Sequence, residues 1–127
     1  MQDVKLYEYA VIRLVPQPER EEFINVGLIL FSKREKYIRV KTQLCAKRMT
    51  CFACETEFEV IEKHLASFEK VAEGGKNSGP IAQLDIPERF RWLTAVRSSI
   101  IQTSRPHPGQ AKDLDAAFER LFKDLVL

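Results

Sequence analysis

The sequence predicts an α+β fold: a single antiparallel sheet of about four strands, made of a β-meander plus one later strand, with helices packed mainly on one face. Three observations predict it. Runs rich in β-branched and aromatic residues open the chain, and short polar turns separate them. Two later stretches repeat apolar residues at helical spacing, and a short β-rich run lies between them. The length of 127 residues is typical of one domain, so we assign 1–127 to a single domain.

The first three strands are predicted to form an antiparallel meander. Residues 4–15 carry apolar side chains at both odd and even positions, which is typical of a strand covered on both faces. Pro16 ends this strand because proline cannot donate to a sheet ladder. A second strand is predicted over 25–32. The third, over 37–42, alternates apolar and basic side chains, as a half-exposed or edge strand does.

The long helices are identified by apolar stripes and by their end signals. In the first, Thr56 and Glu59 form a capping box, and Gly74 with the next glycine marks its end. Its stripe consists of Phe58, Ile61, Leu65, Phe68 and Ala72. Asp113 caps the last helix. The stripe of that helix consists of Leu114, Phe118, Leu121, Phe122 and Leu125.

Between these helices we predict a short helix that begins at Pro87 and buries Phe90 and Leu93. A fourth strand is predicted over 99–103, and His107 is predicted to lie in a loop between two prolines.

Composition limits the classes of function. The hydrophobic fraction is 45%, the charged fraction 30% and the formal charge +2, which describes an ordinary globular protein. Nucleic-acid binders concentrate more basic charge, so nucleic acid is the least favoured partner. No apolar run is long enough to span a membrane, and no secretory signal opens the chain. The odd number of cysteines, 3, fits free thiols in a reducing cytoplasm.

One candidate site surrounds the start of the second strand. Asn25 can donate and accept at once, and Glu22 beside Arg13 would make a charge-assisted pair that could orient a polar ligand. The structural alternative is that Asn25 anchors the strand, Gly27 marks a bulge and Glu22 forms an ordinary ion pair.

The second candidate is the segment RFRWLTAVRSSIIQTSRPHPG, residues 89–109. It carries more hydrogen-bonding groups than a core segment would, because each costs free energy if buried without a partner. It is therefore a recognition surface or a hydrogen-bonded structural joint. The candidate binding residues in it are Arg91, Arg97, Ser99, Thr103 and His107. It contains neither a glycine-rich phosphate loop nor a nucleophile elbow.

Histidine and cysteine chemistry offers fewer candidates. His107 is a candidate general acid or base, with Glu22 as a second catalytic carboxylate, whereas His64 is expected to be a solvated helix residue. Cys51 and Cys54 resemble half of a zinc site, but the chain lacks a second ligand pair of the right spacing. We therefore predict no metal and no cofactor.

Four segments carry a family resemblance along nearly the whole chain: YEYAVIRLVPQPEREEFINVGLILF, GPIAQL, RFRWLTAVRSSIIQTSRPHPG and LDAAFERLFKDLV. In these the chain resembles the bacterial family known as domain of unknown function 3037. At Arg105-Pro106 it departs from that pattern, where smaller and less charged residues are expected. The resemblance implies a protein partner, a HipA-like kinase, and establishes no activity.

Two hypotheses of different classes follow. The first is a non-catalytic binding or accessory protein that acts with another macromolecule, because recognition-type groups are many and no catalytic set is complete. The alternative is a small hydrolase or phosphoryl-handling enzyme in which His107 and Glu22 act on an anion held by Arg13 or Arg97. It requires these groups to converge on one reacting atom. A weak nucleic-acid binder is the second alternative. The sequence leaves the oligomeric state open.

Overall fold

The protein's structure, a computed structural model, describes residues 4–15, 23–44, 58–74, 80–95 and 101–127. Its elements are β1 (Lys5–Leu14), β2 (Ile24–Ser32), β3 (Tyr37–Thr42), α1 (Phe58–Glu73), a 3₁₀ turn (Ile81–Gln83), α2 (Ile86–Ala95), β4 (Ile101–Thr103), β5 (His107–Ala111) and α3 (Leu114–Leu125). Across the described residues, three helices pack against one antiparallel sheet of five strands, which confirms the α+β prediction.

β1 is the central strand. β2 pairs with one of its edges and β3 continues the sheet beyond β2, as the meander prediction required. The other edge of β1 is shared: β4 pairs with its end, over 12–14, and β5 with its beginning, over 5–9. The prediction of a loop around His107 was therefore wrong, because this residue begins a fifth strand. An edge strand tolerates proline, and the sequence pattern alone did not distinguish this case from a loop.

Ser104 follows β4 and bonds to β1, and the register of pairing with β1 then shifts by one residue between β4 and β5. The backbone N–H of Ser104 donates to Val11 O at 2.8 Å, and its Oγ accepts from the Val11 N–H at 2.9 Å. Both backbone groups of Val11 thus point toward this edge, as do those of the other odd-numbered residues of β1. Pro108 lies opposite Glu8, an even-numbered residue, so its missing donor faces away from β1. This proline therefore costs no ladder bond and removes a donor from the open edge.

A β-bulge sets the faces of β2. Ile12 lies opposite Gly27 while Arg13 lies opposite Asn25, so Val26 is the extra residue. A Cβ at Gly27 would lie 2.9 Å from Lys41 O and 3.0 Å from Ile12 Cδ1, so this position has no room for a side chain. The bulge lets Val26 face the same core as Ile12, while Asn25 faces the opposite side.

The sheet buries a core on each face. The first packs α1 and α2 against β1 and β2, with Phe31 stacked on Phe90 at 4.6 Å between ring centroids. The second packs α3 against the opposite face, which we call the α3 face, through Leu28, Leu30 and Phe118. Two of the three helices share one face, as predicted, and α3 covers part of the other. Apolar residues at both parities of β1 are explained by these two cores.

The predicted helix ends are confirmed where they are described. Asp113 caps α3, since its Oδ1 accepts from the backbone N–H of Asp115 at 3.0 Å and of Ala116 at 3.2 Å. Gly74 follows α1 with φ 76°, the left-handed conformation that favours glycine. Thr56 of the predicted capping box lies outside the described residues.

Replacing Ser104 with alanine is expected to destabilise the protein by about 1–3 kcal/mol, because the buried N–H of Val11 would lose its acceptor. Urea denaturation of wild type and variant measures this difference. Ser67→Ala is the matched control, because the Ser67 hydroxyl is exposed and, among the described residues, bonds to His64 O in its own helix. Its cost is expected within about 0.5 kcal/mol. Equal losses for the two variants would contradict the assigned role of Ser104.

Candidate functional site

The described hydrogen-bonding groups of the segment 89–109 mostly form a structural joint. Arg89 Nη1 donates to the carbonyl oxygens of Val71 at 3.1 Å and Ala72 at 2.9 Å, so it satisfies groups at the end of α1. Thr103 Oγ1 donates to Thr94 O at 3.0 Å and ties β4 to α2. The Thr103 hydroxyl therefore has a structural role, which is the alternative to the hypothesis that it binds a ligand. Arg97 and Ser99 lie outside the described residues.

Arg91 is separated from the other candidates. It lies exposed on α2, which packs on the face opposite α3, and it forms an ion pair with Glu88. His107 lies on the α3 face, as its ring contact with Tyr9 places it. The two candidates thus belong to different surfaces.

Asn25 anchors the end of α3. Its Nδ2 donates to Leu125 O at 2.9 Å, which satisfies one of the carbonyl groups left over at a helix C-terminus. Its Oδ1 is buried and has no hydrogen-bond partner among the described residues. This contact gives Asn25 a structural role, because it holds α3 over β2.

Three polar side chains form a row across the sheet: Asn25, which is the anchor of α3, Arg13 and Gln102. Arg13 lies opposite Asn25 on β2 and opposite Gln102 on β4, and directly opposed residues point their side chains to the same face. The Arg13 guanidinium stacks over the Phe23 ring at 4.3 Å from its centroid. Its buried Nε has no hydrogen-bond partner in the described part of the chain. Glu22, the predicted partner of Arg13, lies outside the described residues.

His107 extends this surface along β1. Its ring lies 5.2 Å from that of Tyr9, the residue opposite it, and Tyr9 packs at the border of the second core. We call Tyr9, Arg13, Phe23, Gln102 and His107 the open strip. His107 and Phe23 are exposed, the latter to 46%, and the other three are half-buried.

Among the described elements, α3 packs on this face and lies to one side of the open strip, while Val11 and Ser104, between the members of the strip, are buried. Arg39 on β3 bonds Glu119 at 2.7 Å and Asp115 at 3.5 Å, and its guanidinium lies 4.2 Å from the Phe118 centroid. Lys41 lies 4.7 Å from the Phe122 centroid. These contacts hold α3 over β3 and β2. The open strip, carried by β1, β4, β5 and the residue before β2, lies beside the helix.

The electrostatics of the open strip are one-sided. It contains a permanently charged guanidinium and an imidazole, and it contains no carboxylate. Arg13 and His107 are aligned with β1 positions four residues apart, which corresponds to about 13 Å. That spacing suits an extended partner that contacts both groups. The enzyme hypothesis also requires Glu22, which lies outside the described residues, so it is not tested.

Among the described residues, no three histidine, cysteine or acidic side chains lie together in a way that could hold a metal ion. Cys45, Cys51 and Cys54 lie outside these residues, so the zinc alternative is not tested. His64 is exposed on α1, as expected. None of the described helices has the length and apolarity needed to cross a membrane.

Three residues with notable contacts were not among the residues predicted from the sequence. Tyr9 shares the odd parity of Arg13 on β1, and that signal alone could have identified it. Gln102 required the pairing of β4 with β1, which the sequence does not specify. Glu69 was also missed: its Oε1 accepts from Thr42 N at 2.9 Å and Thr42 Oγ1 at 2.6 Å, and so covers the edge of β3.

The described residues form a small α+β protein in which the polar and aromatic side chains of the open strip lie on the α3 face of the sheet. A family model described as "Protein of unknown function (DUF3037)" matches residues 9–126. The chain therefore belongs to the DUF3037 family, as its sequence resemblance indicated. Searches of curated proteins and of solved structures return no match.

The attachment of α3 is expected to weaken at high pH, because Tyr37 then loses its proton. Burial, and then its 2.6 Å hydrogen bond to Asp115, raise the pKa of Tyr37 from 10.0 to about 12. A raised pKa means that the folded state holds the phenol proton more tightly, so this stabilisation is full below pH 10 and is lost as the pH rises toward 12.

The measurement is the difference in unfolding free energy between wild type and Tyr37→Phe, taken from urea denaturation at pH 8 and pH 11. We expect the difference to shrink at the higher pH, since phenylalanine has no proton to lose. A difference that stays constant would contradict the assigned interaction.

Proposed function

We propose that this DUF3037 protein is a non-catalytic binding protein that acts with another protein through the open strip. The observation that carries the proposal is the group of side chains on the part of the α3 face beside α3. There, two exposed aromatic or imidazole side chains, Phe23 and His107, flank a stacked arginine. Interface centres are enriched in aromatic residues and arginine, and exposed groups of this kind mark interaction sites.

Two further features support binding rather than catalysis. The spacing of about 13 Å between the positions of Arg13 and His107 fits a line of contacts along a strand. The surface is also built on a rigid scaffold, because the row through Arg13 crosses three paired strands. A preformed surface keeps the entropic cost of association low.

The partner proposed is a HipA-like kinase, which the family resemblance implies. The experiment is biolayer interferometry between the purified chain and a HipA-like kinase from the same organism. Phe23→Ala/His107→Ala is expected to weaken binding by roughly tenfold or more, because it removes two exposed anchors of the open strip.

Trp92→Ala provides the matched control. Trp92 is an aromatic residue of similar exposure, 38%, but it lies on α2, away from the α3 face. Its replacement is expected to change the Kd by less than about twofold, well under 1 kcal/mol. Unchanged binding by the strip variant, or a loss caused by Trp92→Ala, would refute the open strip as the interface. A wild-type chain that does not bind the kinase would refute that partner.

A further inference from the structure

A groove of about 390 Å³ lies at the far end of the sheet, on the face opposite the open strip. Leu6, Phe31 and Pro108 supply its apolar surface, and Lys33, Arg34 and Glu8 stand around it. Phe31 belongs to the core beneath α1 and α2, which places the groove just beyond the edge of that core. Nothing in the proposed function uses these residues.

The apolar part of the groove is exposed. Leu6 is 61% accessible, although it lies within β1, where the neighbouring Tyr7 is buried. A leucine left in water forgoes the roughly 1.5–3 kcal/mol that full burial would contribute. Pro108 adds a second exposed apolar side chain across the paired strands. An apolar side chain from another molecule would bury both.

The charges around the groove are unequal. Lys33 and Arg34 occupy the exposed turn between β2 and β3, and neither forms an ion pair with another described residue. Glu35 of the same turn is already paired with Lys5 at 3.6 Å. The groove lining therefore holds two cations, Lys33 and Arg34, against one carboxylate, Glu8 on the β1 side, so the cations are in excess.

We propose that this groove binds a short segment of a partner protein that places an apolar side chain against Leu6 and Pro108 and acidic residues against Lys33 and Arg34. Charge complementarity selects acidic neighbours, since they are attracted to the turn. The exposed rim favours a segment lying across the groove over an enclosed small molecule, because small-molecule sites bury most of the ligand surface. The volume accommodates one large side chain and part of its backbone.

The test is an NMR titration of the ¹⁵N-labelled chain with the blocked tripeptide acetyl-Asp-Leu-Asp-amide. We expect binding in the millimolar range, with amide shifts concentrated at Leu6, Phe31 and the 33–34 turn. Acetyl-Asp-Gly-Asp-amide, which lacks the apolar side chain, and acetyl-Lys-Leu-Lys-amide, which reverses the charge, are expected to bind at least about fivefold more weakly.

Charge exchange tests the role of the turn. Lys33→Glu/Arg34→Glu is expected to lose the preference for the acidic tripeptide and to prefer the basic one. Lys63→Glu/Arg120→Glu is the matched control, because it makes the same charge change at exposed positions on α1 and α3. It is expected to keep the preference of the wild type.

Three results would each overturn the proposal: no localised shifts, equal binding of the leucine and glycine peptides, or an unchanged preference after charge reversal at the turn. Because none of the substituted residues belongs to the open strip, these results are independent of the kinase-binding measurement. Circular dichroism of each variant verifies that the fold is retained.

Discussion

The double pairing of β1 is the constraint on which the rest of the structure depends. One edge of this strand bonds a continuous partner, β2, and the other bonds two short strands joined at Ser104. The reciprocal bonds between Val11 and Ser104 extend the pairing of β4 by one residue, and the register then shifts by one residue before β5. This shift places His107 opposite Tyr9 and Pro108 opposite Glu8, and so sets the face that each side chain of β5 takes. His107 consequently joins the open strip, while Pro108 joins the groove on the opposite face.

The fold class and most elements could be predicted from local signals. The alternation in β3, the apolar stripe of α3 and the capping by Asp113 each depend on neighbours in sequence, so patterns of spacing reveal them. β5 could not be predicted in the same way. Its strand character comes from pairing with residues about a hundred positions earlier, which overrides the turn tendency of its prolines.

The candidate site was only partly predictable for the same reason. Arg13, Asn25 and His107 were selected by residue type, and the structure places all three on the α3 face. Asn25 anchors the end of α3, while Arg13 and His107 belong to the open strip. Arg91 was selected by the same criterion and lies on the other face, paired with Glu88. Residue type indicates which groups can recognise a partner, whereas only strand register shows which of them share a surface.

The described polar groups of residues 89–109 have two different roles. Arg89 and Thr103 are used in holding α1, α2 and β4 together, since each donates to a backbone carbonyl of another element. Among the described candidate residues of this segment, His107 is the one that lies exposed on the α3 face. The proposed binding surface lies beside α3, and the ion pairs of Arg39 help to hold that helix in place.

Hydroxyl-radical footprinting of the chain, alone and in complex with the HipA-like kinase, tests the central claim most directly. It reports the accessibility of individual side chains and thus distinguishes the two faces of the sheet. The account predicts that oxidation of Tyr9, Phe23 and His107 falls in the complex while that of Trp92 is unchanged. Protection of Trp92 without protection of the open strip would contradict it.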